Sequence, residues 1–411
     1  MISFRSGYLT LLLLFVLRPG LEAATPAAPV VLISLDAFRW DYIASHPDET
    51  PHLRELMRTG VTAKALISVF PTQTFASHYS IATGLYPGHH GLVGNLFFDA
   101  ARGEFFNYRL PAAVRDGRWF GGEPIWVTAV KQGRTSACAF WVGSEAEIAG
   151  GRPTYWRNFD ATLPFEQRLE EFVGWLLLPA ERRPAVILFY LENTNSAGHY
   201  FGPRSAEVTA AIKLLDGQIG TMVARSKSAG VPLNLVIVSD HGMAETDGTA
   251  QTLILDDILD LGTVQVDFDG PIAGLRPKDG DVAALMKKLS SLPPTHHVYR
   301  VEDLPARWHM PKGPRVPDIW IVPDAGWRIQ QRSRFISTRD GRLKGDHGYD
   351  PATPAMQGLF IANGPAFRSD GAVIDAVENV HIYNLLCAAI GLTPAPNDGD
   401  DRLVKAVLAP R

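Results

Sequence analysis

Thiols are scarce in this chain: its 411 residues include two cysteines, Cys138 and Cys387. Two cysteines cannot build a disulfide framework, and each lies in an apolar stretch where a thiol packs as a small hydrophobe. A dominant charge is missing as well. Lys and Arg number 39, Asp and Glu 43, and the formal net charge is -4 with no run of like charges. A protein that holds a nucleic-acid polymer would show a basic stripe, so that class is excluded. Beyond the first thirty residues no apolar run approaches bilayer-spanning length. Glycine (37) and proline (30) are plentiful but scattered, which excludes collagen-like and low-complexity designs. With 46% hydrophobic and 20% charged residues, the chain can bury a sizeable core. Its length suits roughly two or three domains, or one large α/β domain with insertions.

The start is different in kind. Arg5, the apolar run Tyr8 to Leu17 and the small pair Ala23-Ala24 have the order of a secretory signal peptide over residues 1–24. That run is too short to span a bilayer comfortably, so cleavage and a periplasmic or secreted mature protein are expected, with an uncleaved anchor as the alternative.

Continuous apolar runs recur at Val30 to Leu35, Ala63 to Val69, Ala137 to Val142, Ala185 to Leu191, Leu233 to Ser239 and Gly358 to Ile361. Such runs read as strands covered on both faces. Helical patterns lie between them at His52 to Arg58, Phe165 to Leu177, Ala206 to Ala224 and Val377 to Ile390. The alternation predicts an α/β fold with a central, mostly parallel sheet and helices on both faces. From about Thr246 to Arg342 the rhythm breaks into short strand-like pieces, Thr263 to Phe268 and Asp318 to Val322, and a helix near Val282 to Leu289. This stretch reads as a smaller inserted lobe within one catalytic domain over 29–399, leaving 400–411 as a tail.

Sheets of this kind place functional residues beyond the carboxyl ends of strands. Asp36 follows the first run, Thr74 and His78 follow the second, and Asn195 and His199 follow the run ending at Leu191. Asp240-His241 follows Ser239, and His347 lies about a hundred residues later in Lys344-Gly345-Asp346-His347-Gly348. A lone Asp after a strand is ordinarily a turn or cap residue. Oxygen and imidazole donors at several strand ends, with no thiolates, instead suit a catalytic zinc site. Thr74 falls near a helix N-terminus, where an anionic hydroxyl is favoured beside a metal, although an ordinary helix cap accounts equally for a threonine there.

In combination these segments resemble the nucleotide pyrophosphatase/phosphodiesterase family of the alkaline phosphatase superfamily, in its compact, secreted bacterial form. The resemblance runs through Ser34-Leu35-Asp36, Phe70 to Gly84, Gly88-His89-His90-Gly91, Trp119 to Trp126, Tyr190 to Pro203, Val238 to Met243, Gly345 to Pro351 and Pro394 to Gly399. It implies two zinc ions and a threonine nucleophile, Thr74. By motif, Asp36, Thr74, Asp240 and His241 would hold one zinc, and Asn195, His199 and His347 the second. Asn95 matches the residue that contacts a phosphate oxygen, and Phe75 and Tyr190 match a pair that sandwiches a nucleobase. One position departs: the pattern Asp-x-x-Gly-His reads Asn195-Ser196-Ala197-Gly198-His199 here, replacing a carboxylate with a neutral ligand. The expected activity is hydrolysis of phosphodiester or pyrophosphate bonds to nucleoside 5′-monophosphates, with a small-molecule nucleotide as partner. The alternatives are a phospholipid-headgroup phosphodiesterase, a phosphomonoesterase or phosphonate hydrolase, or a binding protein with a decayed metal site. His78, His89 and His90 are expected to be structural or to support the ligands.

Overall fold

The computed structural model describes residues 28–337 and 342–410; the expected signal peptide, 1–24, lies outside the described residues. The main sheet has eight strands: β1 (Val30–Leu35), β2 (Val61–Ala63), β3 (Ser136–Ala139), β4 (Tyr155–Arg157), β5 (Val186–Leu191), β6 (Asn234–Val238), β7 (Phe360–Asn363) and β8 (Ala372–Ile374). Their spatial order is β8-β2-β7-β6-β1-β5-β3-β4. Every pairing is parallel except the two made by β7.

The unbroken apolar run of β1 has a direct cause. Successive side chains point to opposite faces of a strand. Val30 and Leu32 enter one core cluster, while Val31, Ile33 and Leu35 enter another. Helices α1 (Pro51–Arg58), α2 (Thr74–Thr83), α3 (Ile125–Lys131), α4 (Phe165–Leu176), α5 (Asn193–Phe201), α6 (Ala206–Ser228) and α7 (Ile382–Ile390) flank the sheet. Tyr79 of α2, Trp126 of α3 and Leu385 of α7 pack into the first cluster. Leu53 of α1, Phe172 of α4 and Ile212 of α6 pack into the second. Both faces are therefore covered, as the alternation predicts.

Within Thr246 to Arg342 the chain builds a four-stranded antiparallel sheet in the order Val264–Phe268, Ala273–Pro277, Ile319–Pro323, His296–Arg300, with helix Val282–Leu289 against it. It has its own small core around Leu275, Leu285 and Ile319. Phe268, Trp308 and Trp320 nevertheless belong to the first cluster of the main sheet, and Phe70 stacks on Trp308 with ring centroids 3.9 Å apart. The lobe is docked through aromatics that its Pro-rich sequence does not advertise.

Two elements differ from expectation. The run Ala63 to Val69 is split: Val61–Ala63 joins the main sheet, whereas Leu66–Ile67 pairs with Val377–Glu378. Consequently Val377 to Ile390 is not one helix; it begins as that short strand, passes through a tight turn at Asn379–His381 and becomes helical at Ile382. Pairing with a distant partner overrides the local helical pattern there. The closing segment carries α8 (Arg402–Val407), which buries Leu403 and Val407 in the main core. Among the described residues no helix is long and apolar enough to cross a membrane.

Candidate metal centre and cavity

Adjacent parallel strands end on one side of the sheet, and β6, β1 and β5 deliver their following residues together. Asp36 is fully buried and its N–H donates to Leu191 O at 2.9 Å. Asp240 and His241, past the end of β6, are also fully buried. His241 Nε2 lies 3.1 Å from Asp240 Oδ2 and 3.5 Å from Asp36 Oδ1, and the ligand atoms of the three residues fall within 4.8 Å of one another. Gly242 makes the turn possible, since a Cβ there would sit 2.1 Å from Ala355 O.

Thr74 is the first residue of α2 rather than its cap. The cap position belongs to Gln73, whose side-chain Oε1 accepts from Asn95 N–H at 2.8 Å. The Thr74 hydroxyl is left beside His241, with Oγ1 3.2 Å from Nε2. Asn95 Oδ1 accepts from Phe75 N–H at 2.9 Å, so the donor Asn95 can still offer is its Nδ2 amide.

A second group adjoins the first: the rings of His241 and His347 stack with centroids 3.6 Å apart, and His199 lies 5.0 Å from His347. His199, His347 and Asp346 have ligand atoms within 4.8 Å of one another. Asp346, absent from the expected ligands, has a commitment of its own. It pairs with buried Arg328 and accepts from His347 N–H, and it faces Nδ1 of His199 at 3.9 Å. Asn195 lines the same cavity as His199 and His347, and Glu192 does not; Glu192 stands 3.7 Å from Arg168.

The three imidazoles share one arrangement. Nδ1 of His241 bonds Gly242 O at 2.8 Å, Nδ1 of His199 bonds Gly345 O at 2.9 Å, and Nδ1 of His347 bonds Thr72 O at 2.9 Å. Backbone carbonyls fixing Nδ1–H leave each Nε2 as a ligand atom, which is how metal-binding histidines are oriented. Among the described residues the buried acceptors Asp36 Oδ1 and Asn195 Oδ1 have no hydrogen-bond donor. Unmet buried acceptors are costly without a cation among them. The donor set is nitrogen and oxygen with no thiolate; both cysteines are buried elsewhere. These residues fit two divalent metals.

Burial, then the like charge of Asp240, push the Asp36 carboxyl up to about 7. Burial works to lower the pKa of His241, but Asp240 and Asp36 outweigh it and hold the ring up to about 9. In the second group burial, then neighbouring His241, hold His347 well below its ordinary value, and burial lowers His199. One group is thus anionic in its carboxylates, while the other offers neutral imidazoles and an amide.

A cavity of about 460 Å³ opens over both groups, lined by Asp36, Thr74, Asn95, Asn195, His199 and His347 at its base. Phe75 stands on one wall against Phe106 and Tyr108, with centroids 5.8 and 5.5 Å away. Tyr190 also lines the cavity, but its hydroxyl donates to Asp36 Oδ2 and its ring edge meets His78 at 5.1 Å. It is tied to the Asp36 end of the cavity. Phe159 lines the cavity as well, 50% exposed and packed against Phe140 at 5.3 Å. Sequence reasoning missed Phe159, because a lone aromatic in a loop carries no periodic signal.

Of the other histidines, His78 packs against the first group: Nδ1 lies 2.8 Å from Thr74 O and 3.2 Å from Asp240 Oδ2. His90 bonds Ser80 Oγ at 2.9 Å, and His89 meets Asp398 at 2.7 Å, away from the cavity.

With this geometry in place, comparison with known proteins gives the class. The model of the type I phosphodiesterase / nucleotide pyrophosphatase family matches residues 30–350, and the chain belongs to that family of hydrolases. It is 36% identical over 394 residues to human ectonucleotide pyrophosphatase/phosphodiesterase family member 1, covering 93% of this chain and 42% of that protein. A venom phosphodiesterase of Crotalus durissus collilineatus is 35% identical over 387 residues, covering 90% of this chain and 45% of its own length. The chain thus spans less than half the length of these two relatives. An uncharacterised pyrophosphatase/phosphodiesterase of Schizosaccharomyces pombe is 36% identical, with 78% of its length covered. Among solved structures, murine ectonucleotide pyrophosphatase/phosphodiesterase 5 superposes with a TM-score of 0.86 at 32% identity, covering 93% of this chain and all of that one. An inactive variant of that murine protein has been solved in complex with AMP.

Proposed function

We propose that this chain is a zinc-dependent nucleotide pyrophosphatase/phosphodiesterase that releases nucleoside 5′-monophosphates through a phosphothreonine intermediate. The observation that carries the reading is the Thr74 hydroxyl, unused as a helix cap and 3.2 Å from His241 Nε2, at the base of an aromatic-walled cavity. The AMP complex of the murine relative supports a nucleotide as the ligand class. The order of Arg5, the apolar run Tyr8 to Leu17 and Ala23-Ala24 supports an exported protein.

Asp36, Thr74, Asp240 and His241 would hold one metal, and Asn195, His199 and His347 the other. Bound there, two divalent metals would neutralise phosphate charge and lower the pKa of the Thr74 hydroxyl. Thr74 Oγ attacks phosphorus in line, and its bond to phosphorus forms as the bond to the departing oxygen breaks. Asn95 Nδ2 and the N-terminus of α2 favour the equatorial negative charge. Tyr190, anchored on Asp36, keeps that carboxylate oriented. Water then enters opposite Thr74 Oγ, breaking the phosphothreonine bond and restoring the hydroxyl. Phe75 and Phe159 both line the cavity and would offer their faces to a planar base, with Phe159 taking the place first expected of Tyr190. That slot supports a nucleotide over a phospholipid headgroup or a simple monoester.

The test is release of nitrophenol from the nitrophenyl ester of thymidine 5′-monophosphate, compared with nitrophenyl phosphate, both with zinc in excess. The expected result is much faster cleavage of the diester. Preference for the monoester would overturn the proposal, and cleavage of neither would favour a binding protein.

A further inference from the structure

Beyond the metal centre, the two walls of the cavity are tied together by one ion pair. From Thr74 the first wall runs outward through Phe75 to Tyr108, and the same segment continues to Arg115. From Asp36 the second wall runs through Tyr190 to Phe159, whose centroids are 6.3 Å apart, and Phe159 N–H donates to Glu145 Oε1 at 2.9 Å. Arg115 Nε donates to Glu145 Oε2 at 3.0 Å, so the pair crosses from one wall to the other. Its members are unequally accessible. The Glu145 side chain is 12% exposed and has a donor on each oxygen, whereas the Arg115 side chain is 47% exposed. Arg115 also lines the cavity, and its Nη groups make no hydrogen bond among the described residues. Arg109, a second arginine lining the cavity, lies over Tyr108 at 4.9 Å. A guanidinium is donor-only. Glu145 lines this end too, but each of its carboxylate oxygens already accepts a donor, so the groups left to meet a base held between Phe75 and Phe159 here are chiefly guanidinium donors.

We propose that Arg115, held by Glu145, is a specificity-determining residue that favours bases carrying a keto oxygen at the edge remote from the sugar over bases carrying an amino group there. This inference rests on the nucleotide reading above and refines it. A base with O4 or O6 gains a hydrogen bond from the guanidinium. A base with an amino group in that place sets two donors against each other.

The experiment compares pairs that differ in that group: UTP with CTP, and ITP with ATP. Pyrophosphate release gives kcat/KM, and calorimetric binding of UMP, CMP, IMP and AMP gives an affinity independent of turnover. One partly exposed hydrogen bond is expected to favour each keto member by about three- to tenfold in both measurements. Arg115→Met should bring both ratios to about one, and Arg115→Lys, which keeps a cationic donor, should retain part of them. Ratios near one in the unaltered protein, or a preference for the amino member, overturn the inference even if diesters are cleaved. Keto preference in binding without turnover would sustain it while removing the proposed activity.

Discussion

Asn195 sets the second group apart from the first. The anionic group has the carboxylates Asp36 and Asp240, while the second has an amide and two neutral imidazoles, and the nearest further carboxylate, Asp346, is paired with Arg328. A dication gains less from neutral ligands, so the second metal is expected to leave first under mild chelation. Asn195→Asp should tighten that site by about tenfold or more. Metal titration reads this directly, and two equally tight sites in the unaltered protein would contradict it. Proton competition gives a second prediction. Below pH about 9 a metal must displace the proton of His241, and below about 7 that of Asp36 as well. Affinity at the anionic site should fall as pH falls through that window, and a competitive chelator titration that shows no pH dependence would refute this. At this scale the sequence was informative wherever a carboxylate or imidazole followed a buried strand, as with Asp36 and Asp240-His241, which the structure brings together. It was silent on Phe159 and Glu145, which lie in loops beside the cavity, and on the hydroxyl bond from Tyr190 to Asp36, which has no sequence signature.

Among the elements, the central strands were legible because burial on both faces demands continuous apolar residues, and α4 and α6 because their apolar stripes are long. The split of Val61 to Ile67 and the strand at Val377–Glu378 were not, since each depends on a partner some three hundred residues away. The turn after β6 is the element on which the centre depends. At Gly242 a methyl group would meet Ala355 O at 2.1 Å and Gln357 O at 2.9 Å, both of them backbone atoms. Gly242→Ala should therefore lower stability by about 1–3 kcal/mol and displace His241. A denaturation midpoint and metal content both within error of the unaltered protein would show that the turn yields more easily than the packing implies.

On the scale of the whole molecule, the metal groups join segments far apart in the chain: Asp36 to Asp240 and His241, Thr72 to His347, and His199 to Gly345. Ligands that bind only the folded state stabilise it by mass action, about 2.7 kcal/mol at a hundredfold excess over Kd. Zinc should raise the unfolding temperature by a few degrees and a chelator should reverse this, whereas a chelator-insensitive transition would mean that the groups hold no metal. The most direct test of the central claim is Thr74→Ala, assayed with the nitrophenyl ester of thymidine 5′-monophosphate while zinc content is measured on the same preparation. The account predicts loss of turnover by about a thousandfold or more with zinc still bound. Turnover within about tenfold of the unaltered protein would remove Thr74 as the nucleophile.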